Sequence, residues 1–152
     1  MALQRISSAL ITDATVATGD IADDAITAAK LDAAALAAGT FSGSVQFSGA
    51  VTLNEDTLSD GATVSWDVTA SPVAKLTLGG NRTLSAPSNA VGAGQYISLL
   101  VIQDGTGSRT LTWNAAYEFK DDTAPTLTTT ASKGDLFTFR YNGSKWLETG
   151  RN

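Results

Sequence analysis

The chain contains no cysteine and no histidine. Without cysteine there is no disulfide, no thiolate metal site and no thiol nucleophile, so the redox compartment is left open. Without histidine the commonest general base, the commonest metal ligand and the usual serine-triad partner are all missing. Charge is also scarce: Asp, Glu, Lys and Arg make up 16% of the chain, against a typical ~25%. The formal net charge is −5, and the ten basic residues scatter from Arg5 to Arg151 without clustering. The footprint of a nucleic-acid binder is therefore absent, and no nucleic-acid partner is expected. The opening MALQRISSALITDA carries one arginine but no apolar run long enough for a signal peptide or a membrane span. Export by that route and a membrane partner are not expected.

What the chain has instead is Thr, Ser, Gly and Ala, a composition that suits an all-β extracellular or particle-surface protein better than a cytosolic enzyme. Its 152 residues fit one ordinary domain plus an appendage.

The appendage announces itself by a period. Apolar side chains fall at Ile6, Ile11, Val16, Ile21, Ile26, Leu31, Leu36 and Phe41, every fifth residue. A helix wants an apolar residue every three or four positions and a half-buried strand every second one, so no single straight element puts all eight on one face. Residues 13–42 divide into three ten-residue units, DATVATGDIA, DDAITAAKLD and AAALAAGTFS, each apolar at its fourth and ninth places. Asp23 or Asp24 could cap a short helix over residues 24–38 that Gly39 would stop. In it Ile26, Ala29, Ala33 and Leu36 would form a thin stripe needing neighbouring copies for burial. A disordered Ala- and Thr-rich leader is the plainer alternative. The unbroken period favours an extended arm, residues 1–42, that lies along a partner or winds with copies of itself.

From Gly43 the pattern changes to alternation, with Val45, Phe47, Val51 and Leu53 opposite Ser44, Gln46, Ser48 and Thr52, as in a half-buried strand. Short strands and turn signals then follow in succession. Val64, Trp66 and Val68 share a face in Ala62 to Val68, and Val73 to Leu78 leads through Gly79, Gly80 and Asn81 into Arg82 to Ala86. Tyr96 to Gln103 is the most apolar run and reads as the central strand. DGTGS at 104–108 reads as a hairpin loop returning through Arg109 to Trp113. Tyr117 to Lys120 and Thr126 to Thr130 are shorter candidates. Asp135 to Tyr141 pairs with Lys145 to Thr149 across Asn142-Gly143, a strong type I′ turn signal. Residues 43–152 are thus expected to form one antiparallel β-sandwich of eight or nine strands, jelly-roll-like, behind the extended arm.

Few residues invite chemistry. DGTGSR at 104–109 has the glycines of a phosphate loop but neither the following helix nor the Lys-Ser/Thr pair, and GGNR at 79–82 is likewise a turn. The carboxylate pairs Asp23-Asp24, Glu55-Asp56 and Asp121-Asp122 read as solvated loop charge rather than a glycosidase pair or a Ca²⁺ site. Trp66, Trp113, Trp146, Tyr117 and Tyr141 are either sugar-stacking platforms or core, and alternation favours core. No catalytic residue, cofactor or metal site is expected.

Two stretches carry a resemblance. ITDATVATGDIADDAITAAKL resembles the degenerate linker repeat near the N-terminus of many tailed-bacteriophage fibre and virion-surface proteins. VAKLTLGGNRTLSAPSNAVGAGQYISLLVIQDGTGSRTLTW, followed by DLFTFRYNGSKW, is similar to the small β-sandwich of phage tail fibres, head fibres and capsid decoration proteins. The resemblance implies a homotrimer on the virion, made in the host cytoplasm, whose arms grip the particle while the β domains project. The side chains agree, because an anchor every five residues is of use only with partners, each fully buried one contributing ~1.5–3 kcal/mol. The expected role is a trimeric capsid decoration (cement) protein or short head fibre, held on the major capsid protein or another virion protein through the eight arm residues. The chain's end directly after the sandwich favours the capsid exterior, since receptor-binding fibres usually continue into a shaft and tip. The alternative is a short tail fibre or tail adaptor that binds host glycan, which an exposed cluster from Trp113, Tyr117 or Trp146 would favour. A depolymerase fragment is the more distant enzyme reading, and no long repetitive β-helix region supports it.

Overall fold

The computed structural model describes residue 44 and residues 46–152. The eight arm positions, the short helix over 24–38 and the Asp23-Asp24 pair lie outside the described residues. Residues Ala50–Asn152 form one unit. Within it stand nine strands: β1 (Glu55–Thr57), β2 (Thr63–Val64), β3 (Val73–Leu78), β4 (Arg82–Leu84), β5 (Tyr96–Gln103), β6 (Leu111–Trp113), β7 (Tyr117–Glu118), β8 (Gly134–Tyr141) and β9 (Trp146–Arg151). A single 3-10 turn, Lys120–Asp122, is the only helical element among the described residues. The described residues are all-β.

The strands make a six-stranded sheet in the order β1-β3-β5-β8-β9-β7 and a three-stranded sheet in the order β2-β4-β6. The chain steps from one sheet to the other at each strand from β1 to β6. Every pairing those six strands make with one another is parallel: β1 with β3, β3 with β5, β2 with β4, and β4 with β6. This is a two-sheet solenoid of three turns, extended by the antiparallel pairs β5–β8 and β8–β9 and by β7, parallel to β9. The expected antiparallel jelly roll is therefore corrected to a mixed and mostly parallel arrangement. Period-two alternation reports which face a side chain takes, not the direction of its neighbour. The connections between β1, β3 and β5 are long enough for the crossovers that parallel pairing requires.

Two further expectations change for related reasons. DGTGS does not return β5 onto itself. It carries the chain across to the other sheet, where β6 pairs with β4. The crossing is held by Gln103, whose amide donates to the Arg109 carbonyl at 3.0 Å and accepts the Arg109 N–H at 2.7 Å. The alternating residues before Asn54 form no strand among those described, and Phe47, Val51 and Leu53 stand exposed. Alternation marks which way side chains point but supplies no ladder partner. Thr126 to Thr130 is also without strand pairing. It is tied down singly, by the Thr128 N–H on the Asp135 carboxylate and by the Ser108 N–H on the Thr129 carbonyl.

The closing hairpin forms as expected, but its turn differs. Gly143 has φ +100°, whereas Asn142 is not among the residues of positive φ, so the turn is not type I′. The Asn142 side-chain oxygen accepts the N–H groups of Ser144 and Lys145 at 2.9 and 2.7 Å, a local side-chain turn over four residues.

One hydrophobic core lies between the sheets. Ala74, Leu76 and Leu78 on β3, Ile97, Leu99 and Val101 on β5, and Phe137 and Phe139 on β8 point inward from the large sheet. Val64 and Leu84 meet them from the small one, and Trp66 and Val68 from the segment after β2, with Val64, Trp66 and Val68 sharing a face as their spacing indicates. Trp113, at the end of β6, packs edge-on against Tyr117, Phe119 and Phe137 with ring centroids 5.2, 5.1 and 5.0 Å away. Such edge contacts add about 0.5–1.5 kcal/mol each beyond the area buried.

Candidate functional site

The strongest sequence candidates for chemistry resolve into structure. Glycine-rich DGTGSR is a closed turn. The Asp104 carboxylate accepts the N–H groups of Thr106 and Gly107, both at 2.9 Å, and the Arg109 guanidinium at 2.8 and 3.0 Å. The Arg109 hydrogen bonds, followed by that from Gly107, hold this carboxyl well below its ordinary range, at about 2. The Thr106 and Gly107 donors that a phosphate would need are already spent on a side chain. GGNR is closed in the same way, by a two-pronged pair from Arg82 to Asp60 at 2.7 and 2.6 Å that lowers the Asp60 pKa. At Gly79 a Cβ would stand 2.7 Å from the Asp60 carboxylate, so a side chain there would push Asp60 out of its present position against Arg82.

The aromatic residues are core rather than platforms. Trp66, Tyr117 and Trp146 are buried, and Trp113 and Tyr141 are partly buried and packed against the core. Burial raises the Tyr117 phenol far above its usual range, so it is neutral at any ordinary pH. The exposed cluster that would have favoured glycan stacking at Trp113, Tyr117 or Trp146 is therefore not formed. The exposed large aromatics among the described residues are Phe47 and Tyr96.

The two carboxylate pairs among the described residues do not converge. Glu55 is engaged by Lys75 at 2.9 Å, and Asp121 and Asp122 sit in the left-handed region of the 3-10 turn at φ 57° and 53°. Among the described residues no three His, Cys, Asp or Glu side chains group as metal ligands. No helix there is long and apolar enough to cross a membrane.

What remains is a surface the sequence reading did not single out. Inward Val64, Trp66 and Val68 alternate with outward Thr63, Ser65 and Asp67, so three polar side chains stand exposed along β2 and the segment that follows it. With Asp56, Ser59 and Ser88 they line an open groove of about 510 Å³. Asp67 is fixed there by Thr69, whose N–H and hydroxyl donate at 3.0 and 2.8 Å, and by the Asn89 amide at 2.8 Å. Those bonds, Thr69 first, lower its pKa, so the groove keeps a charged acceptor rather than a general acid. Hydroxyls and a fixed carboxylate in a shallow groove are suited to hydrogen-bonding a hydroxyl-rich ligand. The signal was present in the same alternation that identified the core, on its other phase.

A smaller cleft of about 150 Å³ opens on the large sheet, lined by Leu53, Pro72, Val73, Tyr96, Ser98 and Thr138. Another, of about 260 Å³, lies between Ser108–Leu111 and Pro125–Thr129.

Neither the curated proteins nor the solved structures include a match to this chain. A family model described as "putative phage tail fibre C-terminal domain" matches residues 63–146. The match runs from the first residue of β2 to the first of β9 and covers more than half of the chain. The chain belongs to this phage tail-fibre C-terminal domain family, and with it to the structural proteins of the phage virion surface.

Proposed function

We propose that the chain is a homotrimeric, non-catalytic component of a phage tail fibre, fixed to the particle by its N-terminal arm and presenting the β domain to host glycan. The observation that carries this reading is the family match over residues 63–146. The groove of Thr63, Ser65 and Asp67 supports a glycan contact, since its hydroxyls and ionised carboxylate complement sugar hydroxyls. The reading needs no catalytic pair, because the carboxylates of Asp60, Asp67 and Asp104 are committed to their own hydrogen bonds.

Capsid decoration is the second reading, favoured by the period-five arm. Eight evenly spaced anchors, Ile6 to Phe41, suit docking on a repeating lattice of the major capsid protein as well as on a tail. Cryo-electron microscopy of purified particles, with the copy number measured against the major capsid protein, tests both. A few copies confined to the tail are expected. Hundreds of copies spread over the capsid would overturn the tail reading in favour of decoration.

A further inference from the structure

We propose that Tyr96, Ser98, Thr138 and Arg140 form a second sugar site, on the outer face of the six-stranded sheet, that takes a carboxylate-bearing sugar of a host surface glycan, a uronic or sialic acid. This rests on the glycan reading above and adds to it a place and a chemical class. The register of β5 and β8 sets Tyr96 opposite Arg140 and Ser98 opposite Thr138. The residues between them, Ile97 and Phe139, point into the core, so all four side chains stand on the outer face. Opposite residues of an antiparallel pair lie ~5 Å apart, and alternate residues of one strand ~7 Å apart. An aromatic ring, a guanidinium and two hydroxyls therefore occupy the corners of a patch about the size of one pyranose ring.

Each corner has a use. Tyr96 is 60% exposed, whereas Tyr117 and Tyr141 pack on the core, and with Leu53, Pro72 and Val73 it lines the cleft of about 150 Å³. That volume suits a single sugar ring rather than a drug-sized molecule. The tyrosine ring and the apolar floor suit the C–H face of the sugar. Thr138 is already oriented: its hydroxyl donates to the Gly150 carbonyl at 3.3 Å and accepts from the Thr149 hydroxyl at 3.0 Å. One lone pair is left to accept from a sugar hydroxyl.

Charge selects the ligand. Of the four arginines among the described residues, Arg82, Arg109 and Arg151 are paired with Asp60, Asp104 and Glu148, whereas Arg140 has no ion pair there. Lys75, on the same face, is held by Glu55 at 2.9 Å. Glu118 shares a cross-strand row with Leu147 and Arg140, but stands two strands away from Arg140 on β7, at ~10 Å. A lone guanidinium matches one singly charged group, and its planar fork of N–H donors fits a carboxylate with two hydrogen bonds. A second copy of the chain would offer this face the same cation, whereas an acidic sugar complements it.

The test applies the full chain to an array of bacterial capsular polysaccharides and lipopolysaccharides, each before and after its carboxyl groups are reduced to alcohols with carbodiimide and borohydride. The wild type is expected to bind members that contain uronic or sialic acid and to lose ~10-fold or more in affinity once they are reduced. Arg140→Gln should lose as much on the unreduced polymers, and Arg140→Lys, which keeps the charge without the fork, should recover only part. A control, Val91→Ala, exposed in the loop before β5, should bind as the wild type. Arg140 is itself exposed, so its variants should keep the wild-type urea midpoint. Binding that survives carboxyl reduction, or an Arg140→Gln that binds as the wild type, would overturn this site and leave the glycan reading standing on the groove of Ser65 and Asp67. A change in the mass of that variant in solution would then make the face a contact between copies. A wild type that binds no member of the array would overturn both readings.

Discussion

Replacing Gln103 by leucine should destabilise the β domain far more than the loss of one polar side chain from a surface would. Gln103 is 2% exposed at the end of β5, where the chain leaves the large sheet for the small one. Its amide satisfies both backbone groups of Arg109, the carbonyl at 3.0 Å and the N–H at 2.7 Å. Leucine fills a similar volume, so the packing loss is small, but Arg109 is left with a donor and an acceptor and no partner. Each unsatisfied group costs ~1–3 kcal/mol when fully buried. Arg109 is only partly buried and water can reach part of the site, so ~2–4 kcal/mol in total is the reasonable scale. With a urea dependence of ~2 kcal/mol per molar, the unfolding midpoint should fall by roughly 1–2 M. The assay is equilibrium urea unfolding of the full chain at one fixed concentration, followed by tryptophan fluorescence. A midpoint unchanged within error would refute the claim that this clamp holds the crossing between sheets.

Two further outcomes bear on the same loop. Asp104 has its pKa lowered from 3.8 to about 2 by Arg109 and Gly107, so its stabilising contribution is full above 3.8 and is lost as pH falls through about 2. Acid unfolding of Asp104→Asn should accordingly show a shallower loss of stability across that window than the wild type; identical slopes would contradict it. Gly107, at φ +77°, has no room for a Cβ against the Thr129 carbonyl and the Ala131 nitrogen, the latter 2.9 Å away, whereas Gly105 has open space. Thermal unfolding should therefore place Gly107→Ala below the wild type by more than ~1 kcal/mol and Gly105→Ala close to it; equal effects would show that the loop yields freely.

The β character of the domain, the bounds of β3 and β5, the β8–β9 hairpin to within two residues, and the inward face of Val64, Trp66 and Val68 were all legible in alternation and turn residues. Strand direction was not. Pairing of Val73 with Ser98, or of Thr63 with Thr83, depends on contacts between residues far apart in the chain, and successive circuits differ in length, so no repeat betrays the winding. The turn after Tyr141 was misread because Asn-Gly suits more than one geometry, and the Asn142 side chain decided between them. The polar groove was half legible: Thr63, Ser65 and Asp67 could be placed outward, but Asp56 joins them only through the bend from β1 to β2, and Ser88 only through its parallel bridge to Asp67.

The unequal circuits have a consequence for how such a domain can change. Where strands run antiparallel through tight hairpins, a loop inserted at a turn threatens the register of both strands it joins. In the three-turn winding, each strand's register is set by the strands beside it in its sheet, while the segments at the corners carry the difference in length. Residues 85–95, between β4 and β5, already spend eleven positions on one such corner, and Leu99 still meets Ala74 and Phe137 in line. The corners can therefore lengthen, shorten or change composition while the core keeps its alignment, which leaves a particle free to vary what it displays without redesigning what holds it together.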